Sequence, residues 1–232
     1  KYYHIIVFAR NNEGYKNLLK IVSKSFIEGF YYKPRIDYKI LEEYSKGLVA
    51  SSACLAGEIP RLILSNRLAE AKKRALYYKE LFGIDGFFLE LMDHGITEQQ
   101  VVNEMLIKIS QDTSIPLIAT NDVHYISKDD YRAHDVFLCI GSGKKLTDKK
   151  RKMYPTDQFY FKSYDEMKAK FENISLEAVH NTEKVANLCN FYPELGKFNL
   201  PSFDTGGISY KEYLYNLCYS SIEEKYKNST IN

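Results

Sequence analysis

The order of elements predicts an α/β fold built on a parallel sheet or barrel. Two observations carry that prediction. Short apolar runs alternate with amphipathic helical stretches, in the order strand, helices, strand, helix, strand, helix, strand, which implies right-handed crossovers. Several of these runs also stop abruptly on side chains able to bind a metal, and in parallel α/β folds the loops after the strands surround one shared cavity.

The first run, Tyr2 to Ala9, is β-branched and aromatic and reads as a buried strand interrupted by His4. Asn11-Asn12-Glu13-Gly14 supplies a turn and a helix cap. Leu18, Leu19, Ile21, Val22, Phe26 and Ile27 then follow at helical spacing up to Gly29. Pro34 and Asp37 introduce a short second helix through Tyr44. The next strand, Gly47 to Ser51, runs into Ser52-Ala53-Cys54-Leu55-Ala56-Gly57-Glu58. Arg67 to Phe82 is an amphipathic helix whose lysines and Arg74 form a solvated face. Asp85 to Met92 is a third strand, ending near Glu90, Asp93 and His94. Thr97 to Gln111 reads as a helix opened by a capping box, Thr97-x-x-Gln100. Pro116 to Thr120 is the fourth strand, followed by Asn121-Asp122-Val123-His124-Tyr125.

After Tyr125 the character changes. Lys128 to Ile140 is expected to be a helix, broken by Gly141-Ser142-Gly143 and followed by a basic loop from Lys144 to Lys152. Ser163 to Phe171 and Ser175 to Cys189 are two more helices. Residues 196–209 are rich in Gly, Pro and Ser and read as a linker between a first domain (1–195) and the start of a following one (210–232), whose first helix covers Tyr210 to Tyr226.

At 232 residues and 45% hydrophobic, the chain can pack one large α/β domain, or one domain and part of another. Its net charge of +2, from 32 basic and 30 acidic residues, excludes a strongly basic coat but not a local groove for nucleic acid. No apolar run is long enough to span a bilayer and no secretory leader pattern is seen. Cys54, Cys139, Cys189 and Cys218 are scattered without a C-x-x-C pair, as in a reduced, cytoplasmic protein. Lys1 opens directly onto an apolar run without an initiator Met, so the expectation is a chain cut from a longer one.

Four candidate metal ligands lie at or near strand ends: His4, Cys54, Asp122 and His124. If the chain stays extended past the fourth strand, alternation points Asp122 and His124 the same way, to share one divalent cation or bridge two. The plainer readings are a satisfied core histidine, a small buried cysteine and a capping aspartate. Together the four make an N/S/O donor set suited to Zn²⁺, Mn²⁺ or Fe, and unlike a pure Mg²⁺ site. A G-x-S-x-G elbow, a Walker loop and a dinucleotide-binding G-x-G-x-x-G are absent.

The segments HIIVFARNNEGYKNLLKIVS, GLVASSACLAGEIP, FFLELMDHG, PLIATNDVHY and LPSFDTGG, in this order and spacing, resemble the PHP domain of bacterial replicative DNA polymerase III alpha subunits over nearly the whole chain. The resemblance implies a partial distorted (β/α)7 barrel of PHP type, missing its first strands and followed by a helical extension. It implies a multinuclear metal site of Zn, Mn or Fe with His4, Cys54, Asp122 and His124 as ligands. Asp122 and His124 would be catalytic in 3′–5′ exonucleolytic hydrolysis of phosphodiesters. Glu90 and His94 are candidates to support the ligands from behind. The family's opening His-x-His, its Asp-His-Gly segment and a Glu ligand would precede His4, so about a hundred residues are expected upstream, and this segment by itself would be inactive. The parent would be a DNA-directed DNA polymerase, with its Mg-dependent polymerase site elsewhere. Its partners would be DNA, the sliding clamp, the clamp loader and a separate exonuclease. The competing expectation is a catalytically silent PHP scaffold that supports the polymerase palm and docks that exonuclease.

Overall fold

The computed structural model describes residues 2–198 and 200–226. The sequence readings on Lys1, on Asn199 within the linker and on residues 227–232 lie outside the described residues. Two compact units are present, Lys1–Tyr192 and Pro193–Asn232.

In the first unit four strands form one sheet in the order β1 (Ile6–Ala9), β2 (Leu48–Ser51), β3 (Phe87–Met92) and β4 (Leu117–Thr120). The pairs β2/β3 and β3/β4 are parallel, as the alternation predicts, with Ser51 opposite Phe88 and Leu89 to Met92 opposite Leu117 to Thr120. The first strand departs from that expectation: β1 pairs antiparallel with β2, Ile6 opposite Ser51 and Ala9 opposite Leu48. Two helices intervene, α1 (Asn12–Ile27) and α2 (Tyr38–Tyr44), and the chain re-enters the sheet from the opposite end. β1 is also shorter than the predicted Tyr2–Ala9 run, because β2 turns away after Ser51. His4 lies ahead of the strand and bridges Gly57 instead, its amide donating to the Ala56 carbonyl at 3.0 Å.

Local chemistry explains most of the helices. Asn11 caps α1, its Oδ1 accepting from Gly14 N at 2.9 Å, and Asp37 caps α2 through Ile40 N at 3.0 Å. Gly14 and Gly47 are required as glycines. A Cβ on Gly14 would sit 1.8 Å from the Gly47 carbonyl oxygen, and Gly47 itself has φ +74°. A helix not anticipated from sequence, α3 (Glu58–Leu64), follows the Gly57 cap, with Pro60 in its first turn where a missing N–H costs nothing. Next come α4 (Leu68–Phe82) and α5 (Thr97–Thr113). The capping box predicted for α5 does not form. Ile96 is the cap and Gln99 reaches back to His94, so Thr97 already lies inside the helix. After a 3₁₀ turn at Lys128–Asp130, α6 (Tyr131–Ser142) runs through Gly141 and ends on Gly143 at φ +63°, two residues past the predicted end at Ile140 and within the predicted break. A true capping box, Ser163 with Glu166, opens α7 (Tyr164–Phe171), and Ser175 caps α8 (Leu176–Leu188).

The central strands β2 and β3 are buried on both faces, so their side chains divide with period two. Leu48, Ala50, Phe87, Leu89, Leu91 and Ala119 join the larger core with Ala71, Ala75 and Leu106 of α4 and α5. Val49, Phe88 and Ile118 point the other way, onto Val185 of α8. Fully burying such a Leu or Phe contributes about 1.5–3 kcal/mol each. Glu90 shares the Phe88 side of β3, and so enters the region where the strand ends gather. In the second unit an irregular run leads to α9 (Tyr210–Lys225), capped by Ser209 Oγ accepting from Glu212 N at 3.2 Å. No helix among the described residues is long and apolar enough to cross a membrane.

Candidate metal centre

Two strands end here on strained backbone. After β2 the chain turns at Ala53 (φ +60°), which presents Cys54, and after β4 it turns at Asp122 (φ +41°). Left-handed backbone at a residue with a side chain costs of order 1–3 kcal/mol and survives only where its surroundings enforce it. At Asp122 the enforcing groups are explicit. The Asn121 carbonyl is held by His94 Nε2 at 2.8 Å, and the Asn121 amide donates to the carbonyls of Gln158 and Tyr160 at 3.2 and 2.5 Å.

His4 Nδ1 and Cys54 Sγ stand 3.8 Å apart. Zn–S and Zn–N bonds of about 2.3 and 2.0–2.1 Å at a tetrahedral angle hold their donors roughly 3.5 Å apart, so this pair can share one ion with little adjustment. His4, Cys54 and Asp122 line the same cavity, of about 810 Å³. Burial pushes the Cys54 thiol up, and the carboxylates of Asp122 and Glu90 add to that, against an opposing hydrogen bond from the Ala56 backbone. The free side chain is therefore a thiol at neutral pH, which a bound cation would deprotonate.

Glu90 is 3% exposed and accepts from the hydroxyls of Ser51 and Thr120, while its amide donates to Ser52 Oγ at 2.8 Å. Burial raises its pKa, the two hydroxyls oppose that, and the Asp122 charge adds to it. The carboxyl thus ties the ends of β2, β3 and β4 together just behind Cys54 and Asp122. His94 is fully buried and stacked on Phe159, with ring centroids 4.0 Å apart. Its Nε2–H donates to the Asn121 carbonyl, and its Nδ1 accepts from the Gln99 amide at 2.7 Å. With both nitrogens committed, and burial lowering its pKa, His94 is a neutral brace for the Asp122 turn.

His124 is held differently from the expectation. Because Asp122 leaves the extended region, the two side chains are not carried to one side by alternation. The His124 ring lies against Tyr154 (4.5 Å), Phe159 (5.8 Å) and His134 (5.9 Å), and its Nδ1 bonds the Asp122 carbonyl at 2.6 Å. It is not among the residues lining the cavity shared by His4, Cys54 and Asp122. Sequence reasoning passed over this aromatic group. Tyr154 and Phe159 come from the irregular stretch after the basic loop, and the only advance sign was His134 on a predicted helix. Tyr154 borders the centre, since its raised pKa comes from burial and then from the charges of Asp122 and Cys54.

The donor pair therefore fits a borderline-soft divalent ion in both chemistry and spacing. A complete cage is another matter: among the described residues no three His, Cys, Asp or Glu side chains gather closely enough to hold one ion.

Residues 1–94 match the PHP domain family. Nearly the whole chain is also similar to a segment of proteins named DNA polymerase III subunit alpha. The Borreliella burgdorferi protein is 46% identical over 98% of this chain and 20% of its own length. That of Treponema pallidum is 45% identical over 82% of this chain and 16% of its own length. For Thermus aquaticus the figures are 38%, 97% and 19%. The chain thus spans a fifth or less of the length of the curated relatives it matches.

Proposed function

We propose, from the premise that this chain carries a PHP domain homologous to a segment of DNA polymerase III alpha subunits, that it forms the metal-binding PHP segment of a replicative DNA polymerase. Homology over most of the chain supports a role in DNA replication with DNA as the substrate. The partners we assign with that role are the sliding clamp, the clamp loader and a separate exonuclease. The observation that carries the metal reading is the 3.8 Å approach of His4 Nδ1 to Cys54 Sγ on a cavity wall shared with Asp122. His4 and Cys54 would hold the ion, preferring Zn, Mn or Fe over Mg because one donor is sulfur. When bound, such an ion acidifies a water and stabilises charge on a phosphodiester undergoing hydrolysis. Asp122, on the same cavity wall, is the carboxylate that would accept a proton from a water, and Glu90 fixes the strand ends that carry Cys54 and Asp122. His124, on the same Asp122 turn, is assigned to the same reaction by its place beside Asp122.

Removal of a mismatched 3′ end by the intact parent polymerase proposed above, with Mn²⁺ or Zn²⁺, tests this reading. Asp122→Ala and His124→Ala should each abolish that activity, and Cys54→Ser should abolish metal retention with it. Unchanged nuclease activity in all three rejects the catalytic assignment.

One observation favours the second reading, a silent scaffold: His124 packs against Tyr154 and Phe159 rather than on the cavity. On that reading, metal removal lowers the melting temperature and changes no nuclease rate.

A further inference from the structure

The cavity that carries the His4–Cys54 pair has a second, differently charged wall. Its lining includes Lys33 and Arg35, from the loop between α1 and α2, beside Tyr2. Arg35 is tightly placed. Its Nη2 donates to the Tyr31 carbonyl at 2.6 Å, and its guanidinium lies 5.1 Å from the Tyr2 ring and 4.9 Å from the Tyr31 ring. The loop backbone is equally constrained. The Tyr31 amide donates to the Lys33 carbonyl at 3.1 Å, Tyr32 has φ +60°, and a Cβ on Gly29 would sit 2.0 Å from the Arg35 carbonyl oxygen. Among the described residues, Arg35 Nε is the buried side-chain nitrogen or oxygen left without a hydrogen-bond partner. A buried donor on a guanidinium is expensive to leave unmade.

The charge balance of the wall says what would satisfy it. Of the carboxylates lining the cavity, Asp37 is engaged by Ile40 N, and Glu58 by the Tyr38 and Tyr78 hydroxyls and by Arg74. Asp122 sits with the donor pair. Lys33 and Arg35 form no ion pair among the described residues, and Lys33 Nζ lies 5.9 Å from the Tyr2 ring centre. Two cations, Lys33 and Arg35, therefore line a cavity large enough for a small ligand, with Arg35 Nε buried behind that wall. A guanidinium fork matches a phosphate in two parallel hydrogen bonds, and aromatic rings beside it suit a nucleobase or sugar. Tyr2, which touches Arg35, is two residues from His4, a reach of about 7 Å in extended chain.

We propose that Arg35, assisted by Lys33, is the phosphate-binding residue of this cavity, seating a nucleotide phosphate beside the His4–Cys54 pair. The proposal rests on the reading of that pair as the metal site, and it assigns the nucleotide's grip to a loop that carries none of the proposed metal ligands.

The test measures binding of thymidine 5′-monophosphate, inorganic phosphate and thymidine to the full chain, with bound metal assayed in every variant. Arg35→Ala should weaken the monophosphate by about tenfold or more, as loss of a charge-assisted pair requires, and leave thymidine binding and metal content unchanged. Arg35→Lys, which keeps the charge but not the fork, should recover part of the loss. Lys33→Gln, at an exposed position, should give a smaller loss, and Lys108→Gln on α5 none. Monophosphate affinity within about twofold of the parent in both Arg35→Ala and Lys33→Gln overturns the proposal, as does an equal loss for thymidine. Cys54→Ser separates the two readings. If it keeps its metal while Arg35 still governs monophosphate binding, the metal reading fails alone. If it loses metal while Arg35→Ala binds normally, the phosphate assignment fails alone.

Discussion

Two histidines near the strand ends, His94 and His4, live under opposite rules. His94 is fully buried, stacked on Phe159, and has both ring nitrogens bonded. His4 sits ahead of β1 on an open cavity, with its Nδ1 facing only the Cys54 sulfur. The contrast extends to their neighbours. Glu90 is buried and braced by two hydroxyls, while Cys54 and Asp122 are presented on strained backbone. The lesson is a division of labour. Polar groups that are buried and fully paired hold the strand ends in place, and those left half-open at the same ends are available to a ligand.

The largest test of that division is at the brace. His94→Ala removes the stack, both ring hydrogen bonds and a fully buried volume, and should cost about 3–4 kcal/mol in urea denaturation. Cys54→Ser should leave stability within about 1 kcal/mol while metal retention collapses, because little in the fold depends on the thiol. A large stability loss in Cys54→Ser, or a small one in His94→Ala, would blur the two classes. A finer test uses pH. The folded pKa of His94 is held below its unfolded value of about 6.5, so the native state disfavours its protonation. The neutral ring's contribution is fully present above pH ~6.5 and is lost as pH falls through the folded value. The parent should therefore lose stability as pH falls below about 6.5, a loss that His94→Gln does not show. Smallest of all is the surface: Lys184→Ala, breaking the half-exposed pair with Asp85, should change stability by no more than about 0.5 kcal/mol.

Much of this was legible in the sequence because it depends on local rules. The caps at Asn11, Asp37, Ser163 and Ser175 follow from short side chains that reach a free amide. The parallel trio β2 to β4 follows from apolar runs separated by helical crossings. What escaped depends on distant partners. The antiparallel edge strand escaped because periodicity reveals a strand and the helices after it but not the end of the sheet from which the chain returns. The capping box at Thr97 failed because Gln99 found a better partner in His94, which is visible only once β3 and α5 pack. At the site, the approach of His4 to Cys54, fifty residues apart, fits the ligand types read at the strand ends. The outward lie of His124 was not legible, since it follows from a left-handed Asp122 and from Tyr154 and Phe159 arriving out of irregular chain.

The central claim is that His4 and Cys54 grip one ion together, and cobalt substitution reads it most directly. Titrating Co²⁺ into the metal-free full chain should produce an intense near-ultraviolet sulfur-to-cobalt charge-transfer band. That band should vanish in Cys54→Ser and weaken in His4→Ala. A cobalt spectrum without the band, or one identical in the parent and Cys54→Ser, would contradict the account.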